Sequence, residues 1–135
     1  MAPDKKIVSR FQDRYSLPVT DAALAVERDV IGANVGASGY TTVAQADALI
    51  RKLGLQTGTR LLDIGAGRGW PGLYLARHTG CDVVLTDIPA PGLAAAAARA
   101  REQGLADRSS VVRAAAEHLP FQPGTFNAIV HTDTL

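Results

Sequence analysis

The sequence predicts an α/β fold built on a parallel sheet, and two observations lead to that prediction. Four short runs of apolar residues, rich in Val, Ile and Leu, are separated by segments with helical spacing or by polar loops. A glycine-rich turn follows the first of these runs. Strands that alternate with helices of about ten residues form βαβ units, whose strands pair in parallel.

Length and composition set the class of protein. The 135 residues, 47% of them hydrophobic, suit one domain with its own core. The formal net charge is +1, so no bulk field selects nucleic acid or an anionic membrane. Cys81 is the single cysteine, which excludes an internal disulfide. No apolar run reaches the ~18 residues of a membrane span. We therefore expect a soluble, cytoplasmic protein that binds neither nucleic acid nor membrane.

Residues 1–40 are predicted to form an N-terminal arm and a helix that could act as a lid. Asp21 can cap a helix that continues to Val30, after which glycines break the pattern. Tyr15 and Tyr40 are candidates to line such a lid.

Residues 41–135 are predicted to form the core of the fold, with right-handed crossovers between the strands. Gly54 suits the end of the first core helix, and Pro71 suits the first turn of the next one. The expected elements, in order, are helix 43–53, strand 60–64, helix 71–79, strand 81–86, helix 93–103, strand 110–114 and strand 127–131.

The glycine-rich turn is the strongest functional signal in the sequence. It lies between a predicted strand and a predicted helix, at the carboxyl end of the strand, where open α/β sheets bind ligands. Gly65, Gly67 and Gly69 allow positive φ and lack a Cβ, so a ligand can approach the backbone. The start of the following helix offers free N–H donors.

One interpretation of this turn is a dinucleotide site. The pattern G-x-G-x-x-G begins at Gly67, and Asp87 follows Gly67 by twenty residues, the spacing of dinucleotide-binding domains. Against it, Gly65 directly follows the strand, and Pro71 lacks an N–H that a pyrophosphate would use. A carboxylate at Asp63 would repel a pyrophosphate and favour a cationic ligand without phosphate. A turn that binds no ligand is a third interpretation.

The pattern Asp-x-Gly-x-Gly-x-Gly from Asp63 resembles the first motif of class I S-adenosylmethionine (SAM)-dependent methyltransferases. The resemblance runs from about residue 41 to the end. Residues 83–88 resemble the second strand with its terminal acid. Residues 116–121, followed by Phe126 and Asn127, resemble the A-E-x-L-P-F … F-D stretch of the small-molecule, quinone and sterol type subgroup. The resemblance implies a Rossmann-like parallel sheet with helices on both faces, and methyl transfer from SAM to a small-molecule acceptor.

The resemblance also implies roles for residues of the glycine turn and the second strand. Asp63 would lie near the methionine moiety of SAM, directly or through water. Gly65, Ala66 and Gly67 would bring the backbone close to the ligand. Asp87 would accept two hydrogen bonds from the ribose hydroxyls, because a carboxylate offers two acceptor oxygens.

Further roles fall on the ends of the second, third and fourth strands. By the same resemblance, Ile88 would contact the adenine face, and the N–H of Ala116 would reach the adenine edge, with Glu117 beside it. His131 would face the methyl-transfer site. His131 and Asp133 are the candidates for substrate contact or proton transfer, and no catalytic residue is assigned beyond them. The histidines lack metal-ligand spacing, so no metal site is predicted.

Three features depart from the family pattern. Ala115 stands where many relatives place an Asp that bonds the adenine amino group, and Asn127 stands where they place Asp. The chain stops at Leu135, just after the fourth predicted strand, whereas the family sheet continues. We therefore expect an N-terminal portion that carries the cofactor half and has little or no catalysis alone. An NAD(P)-type oxidoreductase domain and a non-catalytic SAM-binding fragment are the alternatives.

Overall fold

A computed structural model describes residues 19–37 and 39–132. Most of the predicted N-terminal arm, with Tyr15, and also Asp133 lie outside the described residues. The elements are α1 (Asp21–Ile31), α2 (Val43–Leu53), β1 (Arg60–Ile64), α3 (Gly72–Thr79), β2 (Asp82–Asp87), α4 (Ala90–Glu102), β3 (Ser109–Arg113) and β4 (Ala128–Val130).

The four strands form one parallel sheet in the order β3-β2-β1-β4. The chain steps from β1 through α3 to β2, and then through α4 to β3, in one direction along the sheet. Because crossovers between parallel strands are right-handed in nearly all sheets, two of them in the same direction place α3 and α4 on the same face. Leu61 and Leu85 point toward that face and are fully buried, whereas Ile129, on the opposite face, is 57% exposed. The predicted α/β class and parallel sheet are confirmed.

Side-chain caps determine where the first two helices begin. Thr42 and Gln45 form a capping box at the start of α2, whose predicted bounds are confirmed. For α1 the predicted cap was wrong by one residue. The hydroxyl of Thr20 accepts from the N–H of Ala23, and Asp21 is the first helical residue. Its negative charge still favours the helix start, because the first turn carries unpaired N–H groups.

The starts of the two crossover helices were also misplaced. α4 begins at Ala90, three residues before the predicted start. Pro91 is accommodated because the first turn of a helix needs no N–H donor. α3 begins at Gly72, with Pro71 as its N-cap rather than within its first turn. None of the helices among residues 19–37 and 39–132 is both long and apolar enough to cross a membrane.

The strand β4 is shorter by one residue at each end than predicted, and Asn127 explains its start. The backbone N–H of Asn127 donates to the carbonyl of Arg60 at 2.9 Å. Its side-chain oxygen accepts from the N–H of Arg60 at 2.8 Å. At the first residue of β1, the Asn127 side chain therefore accepts the hydrogen bond that a backbone carbonyl of a neighbouring strand would otherwise accept. The amide oxygen provides the acceptor atom that the carboxylate in the family pattern would offer.

Two aromatic residues fasten α2 and the segment before it to α3. The indole N–H of Trp70 donates to the carbonyl of Thr41 at 2.9 Å. The phenol of Tyr74 donates to Asp47 at 2.6 Å, and this bond raises the pKa of Tyr74 to about 12. The Trp70 and Tyr74 rings meet edge to face, 5.2 Å apart. The end of the glycine turn is therefore fixed to α2 and to the segment directly before it.

Candidate functional site

The loops that follow the four strands meet at one edge of the sheet. Asp63 pairs with Leu85 and Val130, and Asp87 pairs with Arg113, so the strands end at nearly the same level. This parallel register places at one edge the residues predicted for ligand binding among the described ones: Gly65, Ala66, Gly67, Asp87, Ile88, Ala116, Glu117 and His131.

The glycine turn is held against the neighbouring strand by its own backbone. The N–H groups of Gly65 and Ala66 both donate to the carbonyl of Thr86, at 2.8 and 2.9 Å. Gly65, Gly67 and Gly69 have φ of 73°, 55° and 100°, which L side chains rarely adopt. Ala66 is buried, at 2% exposure. The turn is therefore a fixed, largely side-chain-free surface beside the end of β2.

Asp87 holds the same turn from the end of β2. One carboxylate oxygen accepts from the N–H of Gly67 and the other from the N–H of Ile88, both at 2.8 Å. Burial raises the pKa of Asp87, and the two N–H bonds oppose that rise. Each carboxylate oxygen has a second lone pair, so each can accept one more hydrogen bond. The spacing of twenty residues between Gly67 and Asp87 thus corresponds to a direct contact.

Asp63 lies beneath the turn, at the start of α3. Its side chain is 1% exposed, and one carboxylate oxygen accepts from the N–H of Gly72 at 2.9 Å. The other oxygen, Oδ1, has no hydrogen-bond partner among the described residues. Burial raises the pKa of Asp63 well above its ordinary 3.8. The hydrogen bond from the Gly72 N–H opposes this rise, and the charge of Asp87 adds to it. A buried acceptor without a partner is costly, so Oδ1 is suited to receive a donor.

We expect Asp63→Asn to remove a pH dependence of folding. Because the folded state raises the pKa of Asp63, its contribution to stability is complete below pH 3.8 and is lost as pH rises through the folded pKa. As pH rises through that window, the free energy of unfolding of the parent should fall relative to that of the variant. The fall should reach at most about 1.4 kcal/mol per pH unit. Urea unfolding of both proteins from pH 4 to 8 measures it, and a constant difference would contradict the assignment.

The strand β3 fixes the loop after β2 through a residue that sequence reasoning missed. Arg113 donates from Nε to the carbonyl of Ile88 at 2.7 Å, and the N–H of Ala114 donates to the carbonyl of Asp87 at 3.0 Å. Arg113 lies opposite Asp87 in the parallel ladder, and this pairing is visible only once the register is known. Ala116 and Glu117 are exposed in the following loop. Their predicted contacts with adenine stay predictions.

The end of β4 presents His131 beside the glycine turn. His131 follows Val130, which pairs with Asp63, and the side chain of His131 is half-buried. Asp133, the other candidate for proton transfer, is outside the described residues. Tyr40, a candidate lid residue, is 80% exposed next to the anchored Thr41. Catalytic roles for His131 and Asp133 therefore stay predictions.

A family model described as a methyltransferase domain matches residues 61–135, which include all of β1 but its first residue, the glycine turn and the carboxyl ends of all four strands. The chain belongs to the methyltransferase domain family. The resemblance carried by Asp63, the glycine turn and Asp87 is therefore confirmed.

Individual relatives of this methyltransferase domain align with part of the chain, and the chain aligns with a smaller part of each relative. Methyltransferase GfsG of Streptomyces halstedii is 37% identical over 83 residues, 62% of this chain and 30% of the relative. A SAM-dependent methyltransferase from Geobacter sulfurreducens, solved with S-adenosyl-L-homocysteine, is 34% identical, with a TM-score of 0.50 over 54% of this chain and 29% of that one. A geranyl diphosphate methyltransferase, solved with GPP and sinefungin, is 31% identical, with a TM-score of 0.61 over 65% and 33%. The chain thus spans about a third or less of these relatives.

Proposed function

We propose that this methyltransferase domain binds SAM at the carboxyl edge of the sheet and is the cofactor-binding portion of an enzyme that methylates a small molecule. The observation that carries the proposal is the Asp87 carboxylate, which is held at the end of β2 by the N–H groups of Gly67 and Ile88. It stands beside a turn with three positive-φ glycines.

The residues at this edge fit the nucleoside half of SAM. The two oxygens of Asp87 each keep a free lone pair, which suits the two hydroxyls of a ribose. The half-buried side chain of Ile88 offers an apolar surface for the base next to the sugar. Ala115 has no side-chain acceptor, so the adenine edge would be recognised by the N–H of Ala116, with Glu117 beside it.

The charges at this edge favour SAM over a dinucleotide. Asp63 and Asp87 are close enough for the charge of Asp87 to raise the pKa of Asp63. The carboxylate of Asp87, held at this edge by two N–H groups, repels a pyrophosphate and attracts an ammonium or a sulfonium. The partnerless Oδ1 of Asp63 is suited to a donor from the methionine half, directly or through water. These charges argue against the NAD(P)-type alternative.

When bound, SAM supplies a methyl group already activated by its sulfonium. The protein's own residues then have to orient the cofactor and the acceptor and exclude water. His131 is suited to contact the acceptor, because it directly follows β4, whose last residue, Val130, pairs with Asp63. A base, for which His131 and Asp133 are the candidates, is required only if the acceptor is protonated at working pH.

A small molecule is the acceptor class that we propose. One relative is a geranyl diphosphate methyltransferase, and the net charge of +1 gives this chain no field for nucleic acid. We propose a cytoplasmic location, because the single cysteine of these 135 residues, Cys81, is a buried free thiol, as reducing compartments maintain.

Calorimetric titration of the full chain with SAM, S-adenosylhomocysteine and NAD tests the proposal. We expect both SAM and its demethylated product to bind and NAD to give no heat. Binding of NAD without a response to SAM would overturn the proposal. Incubation with labelled SAM and a panel of small acceptors separates an enzyme from a non-catalytic SAM-binding module, since only the enzyme transfers label.

A further inference from the structure

A second cleft lies behind the glycine turn, on the outer side of α3. Its walls are the loop of residues 33–35, α3 and α4, and its volume is about 190 Å³. Trp70 and Tyr74 contribute aromatic surface, while Arg77, His78 and Arg99 contribute cationic or titratable groups. No carboxylate is among the residues that line it within the described chain. The cleft therefore carries positive charge without a matching acid.

Arg99 is the residue that points most directly to a ligand. Its side chain is half-buried, yet neither it nor Arg77 has a hydrogen bond or ion pair with another described residue. The guanidinium is packed against the loop, since a Cβ on Gly36 would lie 2.7 Å from Nη2 of Arg99. Charged side chains that lose solvent are normally paired, because desolvation of an unpaired charge is unfavourable. An anion in the cleft would supply the missing pair.

Two carboxylates that accept hydrogen bonds from residues lining the cleft, those of Glu27 and Asp47, hold the cleft walls. One oxygen of Glu27 accepts from the N–H groups of Val35 and Ala37, at 2.6 and 3.1 Å, and so fixes the loop wall. Asp47 accepts from the phenol of Tyr74. Neither acid is bonded to a cleft arginine. These hydrogen bonds fix the cleft walls without using the guanidinium groups of Arg77 and Arg99, which stay available for a ligand.

We propose that this cleft binds a small oxyanion of the phosphate class through Arg77 and Arg99. Guanidinium groups present several N–H donors in a planar fork that matches the oxygens of a phosphate. A cleft of about 190 Å³ has room for such a group. The cleft shares Gly69 with the glycine turn, but neither Arg77 nor Arg99 is among the residues proposed to hold SAM, so the inference does not depend on the binding of SAM.

Calorimetric titration of the full chain with inorganic phosphate, at constant ionic strength, tests this site. We expect saturable binding that Arg99→Gln and Arg77→Gln each weaken about tenfold or more, the loss of one hydrogen bond to a charged group. Arg101→Gln is the matched control, because it removes the same charge from an exposed position of α4 outside the cleft. That control should bind phosphate like the parent.

Three results would overturn the proposal. The first is an absence of saturable heat up to about 10 mM phosphate, a concentration well above a millimolar Kd. The second is equal weakening by R101Q and R99Q, which would indicate a general charge effect. The third is unchanged affinity in both R77Q and R99Q. Urea unfolding of each variant verifies that it is folded, so a loss of binding is assigned to the cleft and not to the fold.

Discussion

Gly72→Ala should lower the free energy of unfolding by about 3 kcal/mol, although alanine is the better helix former. A Cβ at Gly72 would lie 2.6 Å from Oδ2 of Asp63 and 2.6 Å from Cδ2 of Leu85, both buried on the sheet. Overpacking of this kind costs about 1–3 kcal/mol. Moving Asp63 away from the Gly72 N–H leaves a buried acceptor unpaired, at a further cost of about 1–3 kcal/mol. Urea unfolding at neutral pH measures the sum.

Gly104→Ala is the control for backbone strain alone. Gly104 has a φ of 72°, and a Cβ there would meet no atom within 4 Å. We expect this variant to lose about 1–2 kcal/mol, the cost of a left-handed conformation for an L residue. If Gly72→Ala is as stable as the parent, α3 can move away from the sheet without penalty. A loss smaller than that of Gly104→Ala would show that the contacts with Asp63 and Leu85 cost less than one strained residue.

Asp87→Ala should weaken SAM binding by about 1–3 kcal/mol, or 5- to 150-fold, because it removes both acceptors for the ribose hydroxyls. Calorimetry with SAM measures the change. Asp82→Ala is the matched control, since Asp82 is an exposed acid at the opposite end of the same strand. Unchanged affinity in Asp87→Ala would remove Asp87 from the cofactor site.

A comparison of two probes separates lost ribose contacts from a disturbed turn, because Asp87 also holds the N–H of Gly67. In the parent, adenosine should bind more tightly than 2′,3′-dideoxyadenosine. In Asp87→Ala that preference should vanish, as in a double-mutant cycle in which the second change is made on the ligand. A preference that survives the substitution would show that the hydroxyls bind elsewhere.

Local features of the sequence were sufficient for much of the fold and part of the site. The strand that ends at Ile64 and the helix over Val43–Leu53 were predicted at their observed bounds. In both cases the hydrophobic period and the flanking turn and cap residues agree. Asp87 was found from its spacing of twenty residues after Gly67, and its role from the resemblance of residues 83–88 to the family's second strand with a terminal acid.

The sequence alone determined the α/β class, the glycine turn and the acids at the ends of β1 and β2, because these depend on residue period and on short spacings along the chain. Only the tertiary structure decided that Asp63 is buried under Gly72, that Arg113 holds the loop after β2, and that Arg99 faces a cleft without an acid. Those contacts join residues on different elements. They depend on strand register and helix packing, which no local pattern contains.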